Sequence, residues 1–278
     1  MIYNKTGVAA FGDSPSAAIS AVAIISLIGL ISGYNFSLIG RVCALTGAKS
    51  YSEAWTETVG ASTSKIVAAS CTFKTFVAVL SYSMALAETF QSIFGTLGFN
   101  NISRVQTLVG LTITTLLPLC RLKNLSSLAP FSLLGIIGMV LTVVCMGIRY
   151  FDGSYALPDG KFLNDLAPEF KPSFGNIGYK GVFTPKSLLL VCMLSTAYMA
   201  HFNAPKFYAE LENNTIQRYN KLVSASFATS IAVFCAATVL GFITFGKGCG
   251  GFILSNYSSK DPLISISRVM VSFSLIFT

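Results

Sequence analysis

The sequence predicts an all-α polytopic membrane protein with about six complete transmembrane helices and part of a seventh. Three observations predict it. Of 278 residues, 53% are hydrophobic and 11% charged, and the mean hydropathy is +0.67. Apolar runs reach the ~20 residues that cross a bilayer, well past what a globular core needs. The charged residues fall mostly in the connections between those runs.

Spans are expected at 17–40, 66–94, 106–120, 128–150, 187–211 and 223–246; a seventh opens near Ile264 and is still open at Thr278. The first fourteen residues, MIYNKTGVAAFGDS, lack the basic head and apolar core of a secretory signal, so the first span inserts itself or follows an earlier segment. The connection 151–186 is polar and rich in Gly and Pro, and is expected as an extramembrane loop over the outer mouth. The whole chain, 1–278, reads as a single transmembrane domain.

A net charge of +8 would point to nucleic acid in a soluble protein, but there is no long basic run and membrane orientation explains the charge better. The short connections 41–65, 121–127 and 212–222 carry Arg41, Lys49, Lys65, Arg121, Lys123, Arg218 and Lys221 near span ends. That side is assigned as cytoplasmic. Four sequons, at Asn101, Asn124, Asn213 and Asn256, fall on both sides and settle no orientation.

Enzymatic motifs are absent: there is no HExxH, P-loop or GxSxG, and one histidine makes no histidine-rich metal cluster. The seven cysteines contain no CxxC pair and read as small buried hydrophobes rather than metal ligands or a disulfide framework.

The most informative segment is STAYMAHFNAPKFYAEL, 195–211, where the only histidine stands in an apolar run four residues ahead of Pro205. Proline cannot donate to the carbonyl four residues back and its ring clashes with it, so Pro205 is expected to break the helix and free the His201 carbonyl. Irregular backbone at membrane depth survives where it lines a cavity, and discontinuous helices build the substrate sites of many secondary transporters. His201 is therefore a candidate to touch substrate or relay a proton, against the plainer role of a neutral, hydrogen-bonded histidine. Lys74 lies about 13 Å along its helix from Lys65, and its long stem is expected to snorkel to the cytoplasmic face.

Four stretches carry a family resemblance. LLPLCRLKNLSSLAPFSLLG (116–135) resembles the PL-x-x-L-K-N-L-S-S-L-A stretch of the amino acid/auxin permease family, which includes sodium-coupled neutral amino acid transporters and vacuolar amino acid transporters. AHFNAPKFYAEL (200–211) is similar to the C-H-x-x-x-L-P-I-Y-x-E-L of that family's sixth helix, VLGFITFG (239–246) to the end of its seventh, and SYSEAW (50–55) to the S-Y-x-E-L after its second.

The resemblance implies part of the inverted-repeat fold of the bacterial leucine transporter. The first span here would be the family's second helix and the last its eighth. The family's first helix, with its G-x-G-x-L-x-L-P, and helices nine to eleven have no counterpart. It further implies secondary active transport of amino acids, neutral ones by preference, with sodium or proton as coupling ion. The substrate would meet the backbone from Ala197 to Asn203, with Ala200, His201 and Asn203 nearest the gap. A sodium ion would fall to Ser274 and Thr278 by sequence offset, against the plainer role of hydroxyls bonded to their own helix. The implied membrane is the plasma membrane or a vacuolar or lysosomal one. A transporter-like sensor, or a truncated product that does not transport, are the alternatives; protein partners are not indicated.

Overall fold

The computed structural model describes residues 15–96, 98, 103–121, 129–174, 185–250 and 252–277. Among the described residues every regular element is helical, and four helical segments are long and apolar enough to cross a membrane: Ala18–Thr46, Ala61–Gly95, Leu133–Phe151 and Ile216–Phe245. The chain divides into two compact units, one built from Ser20–Val79 and Pro185–Cys235, the other from Met1–Ile19, Leu80–Thr184 and Ala236–Thr278.

The first unit begins with α1 (Pro15–Thr46), longer than the expected span. Its turn leads to a short helix, α2 (Tyr51–Thr58), inside the expected connection 41–65. The SYSEAW stretch has a local physical reason. Ser50 caps α2 by accepting from the Glu53 N–H at 3.1 Å, and the Glu53 carboxylate accepts from the Lys49 N–H at 2.9 Å. Trp55 Nε1 then donates to Thr63 Oγ1 at 2.8 Å, tying α2 to the start of α3 (Ala61–Thr96). On α3, Ile66, Phe73 and Phe76 are 65%, 70% and 60% exposed, a surface that suits lipid and not water.

Within the same unit α1 packs on α9 (Ile216–Phe245) through Gly29 and Gly33. A β-carbon on Gly33 would meet the Phe227 ring at 3.1 Å. The pair forms G-x-x-x-G in an apolar span, the spacing that lets membrane helices approach closely.

In the second unit α4 (Arg104–Leu111), a π turn (Thr112–Leu116) and α5 (Leu117–Cys120) run as one helical path of about 25 Å. The π turn lies just ahead of Pro118, which has no N–H for the Thr114 carbonyl. The LKNLSSLA motif at 122–128 is outside the described residues. α6 (Ala129–Phe151) packs along α10 (Pro262–Phe277). Gly135 and Gly138 allow that approach, since β-carbons there would stand 2.8 Å from Ser274 Oγ and 2.9 Å from Met270 Cβ.

The loop between α9 and α10 is closed by polar contacts. Gly246 ends α9 at φ +55, a conformation that favours glycine, and a β-carbon there would strike the Ser173 carbonyl. This accounts for the final glycine of VLGFITFG. The connection after α6 carries two 3₁₀ turns, Leu163–Asp165 and Pro168–Phe170. Asn256 is fully buried: its amide donates to the Gly248 carbonyl at 2.5 Å and accepts from the Gly250 N–H at 2.8 Å. Asn101 and Asn124 lie outside the described residues. Cys43, Cys145 and Cys249 are buried as expected, whereas Cys192 is exposed.

Candidate functional site

The interrupted helix is present, one turn earlier than the proline alone would place it. α7 (Pro185–Ala197) ends, Tyr198 to Ala200 leave the helical path, His201–Asn203 form a 3₁₀ turn, and α8 (Ala204–Glu210) continues the span. Pro205 sits in the first turn of α8, where a missing N–H costs nothing because no intrahelical carbonyl precedes it. The His201 carbonyl is accordingly not freed: it accepts from the Ala204 N–H. Among the carbonyls left outside the ladder is that of Met199.

Its partner is Lys74. Contrary to the snorkelling expectation, the Lys74 ammonium donates to the Met199 carbonyl at 2.9 Å and lies 5.8 Å from the centre of the Phe202 ring. Sequence spacing gives distance along a helix but not which neighbour the helix faces, so this contact was illegible. The one available signal was the charge itself, in the middle of an apolar span.

His201 is half-buried, with Nε2–H donating to the Ser32 carbonyl of α1 at 3.0 Å and its ring 5.7 Å from that of Phe36. Two cavities of the first unit reach the interruption. The larger, about 700 Å³, is lined by His201, Met199 and Ser195 together with Ser32, Asn35 and Tyr51 among aliphatic side chains. The smaller, about 350 Å³, is aromatic and includes Ala197, Tyr198 and Ala200. Both sizes suit a small ligand; the smaller places Tyr198, Tyr219, Ser226 and Ser230 among aromatic and aliphatic side chains, and the larger adds His201 to Ser32, Asn35, Tyr51 and Ser195. The expected cluster is thus divided: His201 faces one cavity, Ala197 and Ala200 the other. Asn203 lines neither and precedes α8 without a side-chain cap. Of the sodium candidates, Ser274 packs opposite Gly135 on the α6–α10 contact of the second unit, and Thr278 is outside the described residues.

The family model described as "Transmembrane amino acid transporter protein" matches residues 18–278. The chain is similar to mouse "Putative sodium-coupled neutral amino acid transporter 11", at 23% identity over 92% of this chain and 54% of the mouse protein. It is also similar to "Amino acid transporter AVT6E" of Arabidopsis thaliana, at 26% identity over 84% of this chain and 47% of that protein. "Vacuolar amino acid transporter 7" of Saccharomyces cerevisiae is 24% identical over 71% of this chain and 38% of its own length. The chain therefore spans about half the length, or less, of these relatives. No solved structure matches.

Proposed function

Because the chain belongs to the transmembrane amino acid transporter family, we propose that it carries amino acids across a membrane by alternating access, with the interrupted helix as the binding segment. One observation supports this most: an apolar span leaves the helical path at Tyr198–Asn203 beside a 700 Å³ cavity holding His201, Ser32, Asn35 and Tyr51. Transport of this kind needs no covalent chemistry, only backbone polar groups exposed to the ligand on a segment whose ends are helical.

We read the substrate as a zwitterionic, neutral amino acid, in keeping with the name of the mouse relative. Ala197, Ala200, His201 and Asn203 are the candidate contacts, and a sodium or proton gradient is the energy source. Ser274 and Thr278 are the sodium candidates, as hydroxyl oxygens suit a hard cation. His201 is the proton candidate. A vacuolar or lysosomal membrane is in keeping with the name of the yeast relative, and the plasma membrane is the other candidate.

The test is uptake of labelled L-alanine or L-glutamine into vesicles holding the purified protein, with sodium, proton and no imposed gradient as three arms. Saturable uptake driven by one gradient and reduced at least tenfold by His201→Ala is expected. Saturable binding of amino acid without uptake would favour a sensor, and neither binding nor uptake would overturn the reading.

A further inference from the structure

We propose that Lys74 anchors the carboxylate of the amino acid substrate, a role that rests on the transport reading above. The argument starts from cost. An ammonium in the middle of an apolar helix is expensive unless it reaches an interface or a partner. Lys74 stands 13 residues into α3, about 20 Å from its start, and turns to the interrupted helix instead of following its own helix to the interface. Its charge is thereby held at a segment the Met199 and His201 side of which lines the larger cavity.

A zwitterion asks two things of its site: acceptors for its ammonium and positive donors for its carboxylate. The first is available at the negative end of the dipole of α7, a helix of thirteen residues, where of the last four carbonyls only those of Leu194 and Thr196 take a backbone N–H, from Tyr198 and Met199. The second is not supplied by α8, which has only seven residues and carries Pro205, without an N–H, in its first turn. Lys74 supplies it. An ammonium has three donors, and the Met199 carbonyl takes one at 2.9 Å. The Phe202 face at 5.8 Å stabilises the cation without consuming a donor. The arrangement is a charge tethered to the carbonyl of Met199, a residue that lines the cavity, and held by one neutral acceptor that a carboxylate outcompetes.

The test is calorimetric binding of L-alanine, L-alaninamide and propionate to the purified protein in lipid nanodiscs. Lys74→Gln keeps a donor for the Met199 carbonyl but removes the charge. It should lose L-alanine affinity by about tenfold or more, as a charge-assisted hydrogen bond is worth ~1.5–3 kcal/mol, while leaving L-alaninamide within about twofold. Lys74→Arg should retain L-alanine binding to within about threefold, because it restores the charge. An equal loss for L-alanine and L-alaninamide in Lys74→Gln, or no loss of either, overturns the anchor and leaves the transport reading standing. Propionate binding that depends on Lys74, without any L-alanine binding, keeps the anchor and overturns the amino acid reading. Binding of none of the three overturns both. If Lys74→Gln does not fold, the wild type decides: equal affinity for L-alanine and L-alaninamide overturns the anchor.

Discussion

Both units contain backbone that leaves the helical path, and each answers it with a cation of a different kind. Between α9 and α10 the Arg268 guanidinium, 4% exposed, donates to three carbonyls: Leu254 at 2.9 Å, Tyr257 at 2.8 Å and Ser258 at 3.3 Å. Beside it Asp261, with no exposed surface, accepts from Arg149 Nε at 2.9 Å, from Arg149 Nη2 at 2.7 Å and from the Tyr155 hydroxyl at 3.0 Å. Asp261 also caps α10 through the N–H groups of Leu263 and Ile264. At the interruption of the other unit, one lysine holds one carbonyl. A rigid guanidinium with several partners closes a loop for good, whereas a flexible ammonium with a single neutral partner can exchange it. Irregular backbone in this chain thus serves two ends, and the cation tells which.

The comparison breaks most sharply at Asp261. Asp261→Ala removes the fully buried acceptor of Arg149, leaving it Asp152 alone, and uncaps α10, so a loss of about 2–4 kcal/mol is expected, read as a fall of the melting temperature in detergent. An unchanged melting temperature would mean the second unit is not closed by this network. Arg268→Lys comes next. One ammonium cannot reach three carbonyls in the guanidinium's geometry, and about 2–3 kcal/mol should be lost; wild-type stability would erase the distinction drawn between the two cations.

Pro205→Ala should cost or gain less than about 1 kcal/mol and leave the helical content unchanged, because the proline already occupies a first-turn position. A measurable rise in helicity by circular dichroism would show that the proline, and not the preceding segment, makes the interruption. The smallest effect belongs to Asp152. Partial burial pushes its carboxyl up, but hydrogen bonds from the Ser154 side chain and backbone and the Arg149 guanidinium outweigh that and hold it below the usual range. A depressed carboxyl contributes stability that is present above its unfolded value of about 3.9 and lost as pH falls through the folded value. Asp152→Asn should therefore lower stability by a small, constant amount across pH 6 to 8 and flatten the acid limb of the profile, where the wild type loses the same contribution on protonation.

The long spans were legible because 20 or more apolar residues have few other fates, and the interruption was legible because proline and histidine in such a run are both anomalies. Pro205 nonetheless pointed one turn too late: the residue that cannot donate sits where no donor is needed. The clamp of the second unit left a signal that went unread, since Asp261–Pro262 is an N-cap followed by a first-turn proline. Its reach to Arg149, 112 residues earlier, is a tertiary fact without a local signature. Lys74 failed for the same reason. The α4–α5 path shows a milder case, where Pro118 marked an irregularity but not that a π turn would absorb it.

Asn256 sits in an N-Y-S sequon, yet its side-chain amide is already committed on both sides, to Gly248 and Gly250, with no surface left for an enzyme to reach. An oligosaccharide can be attached to it only on a chain in which 248–258 has not yet closed, and attachment would then forbid closure. The two outcomes race during synthesis, and the winner is recorded covalently. A gel shift on glycosidase treatment, mapped to this asparagine, would therefore mark the molecules that missed their fold.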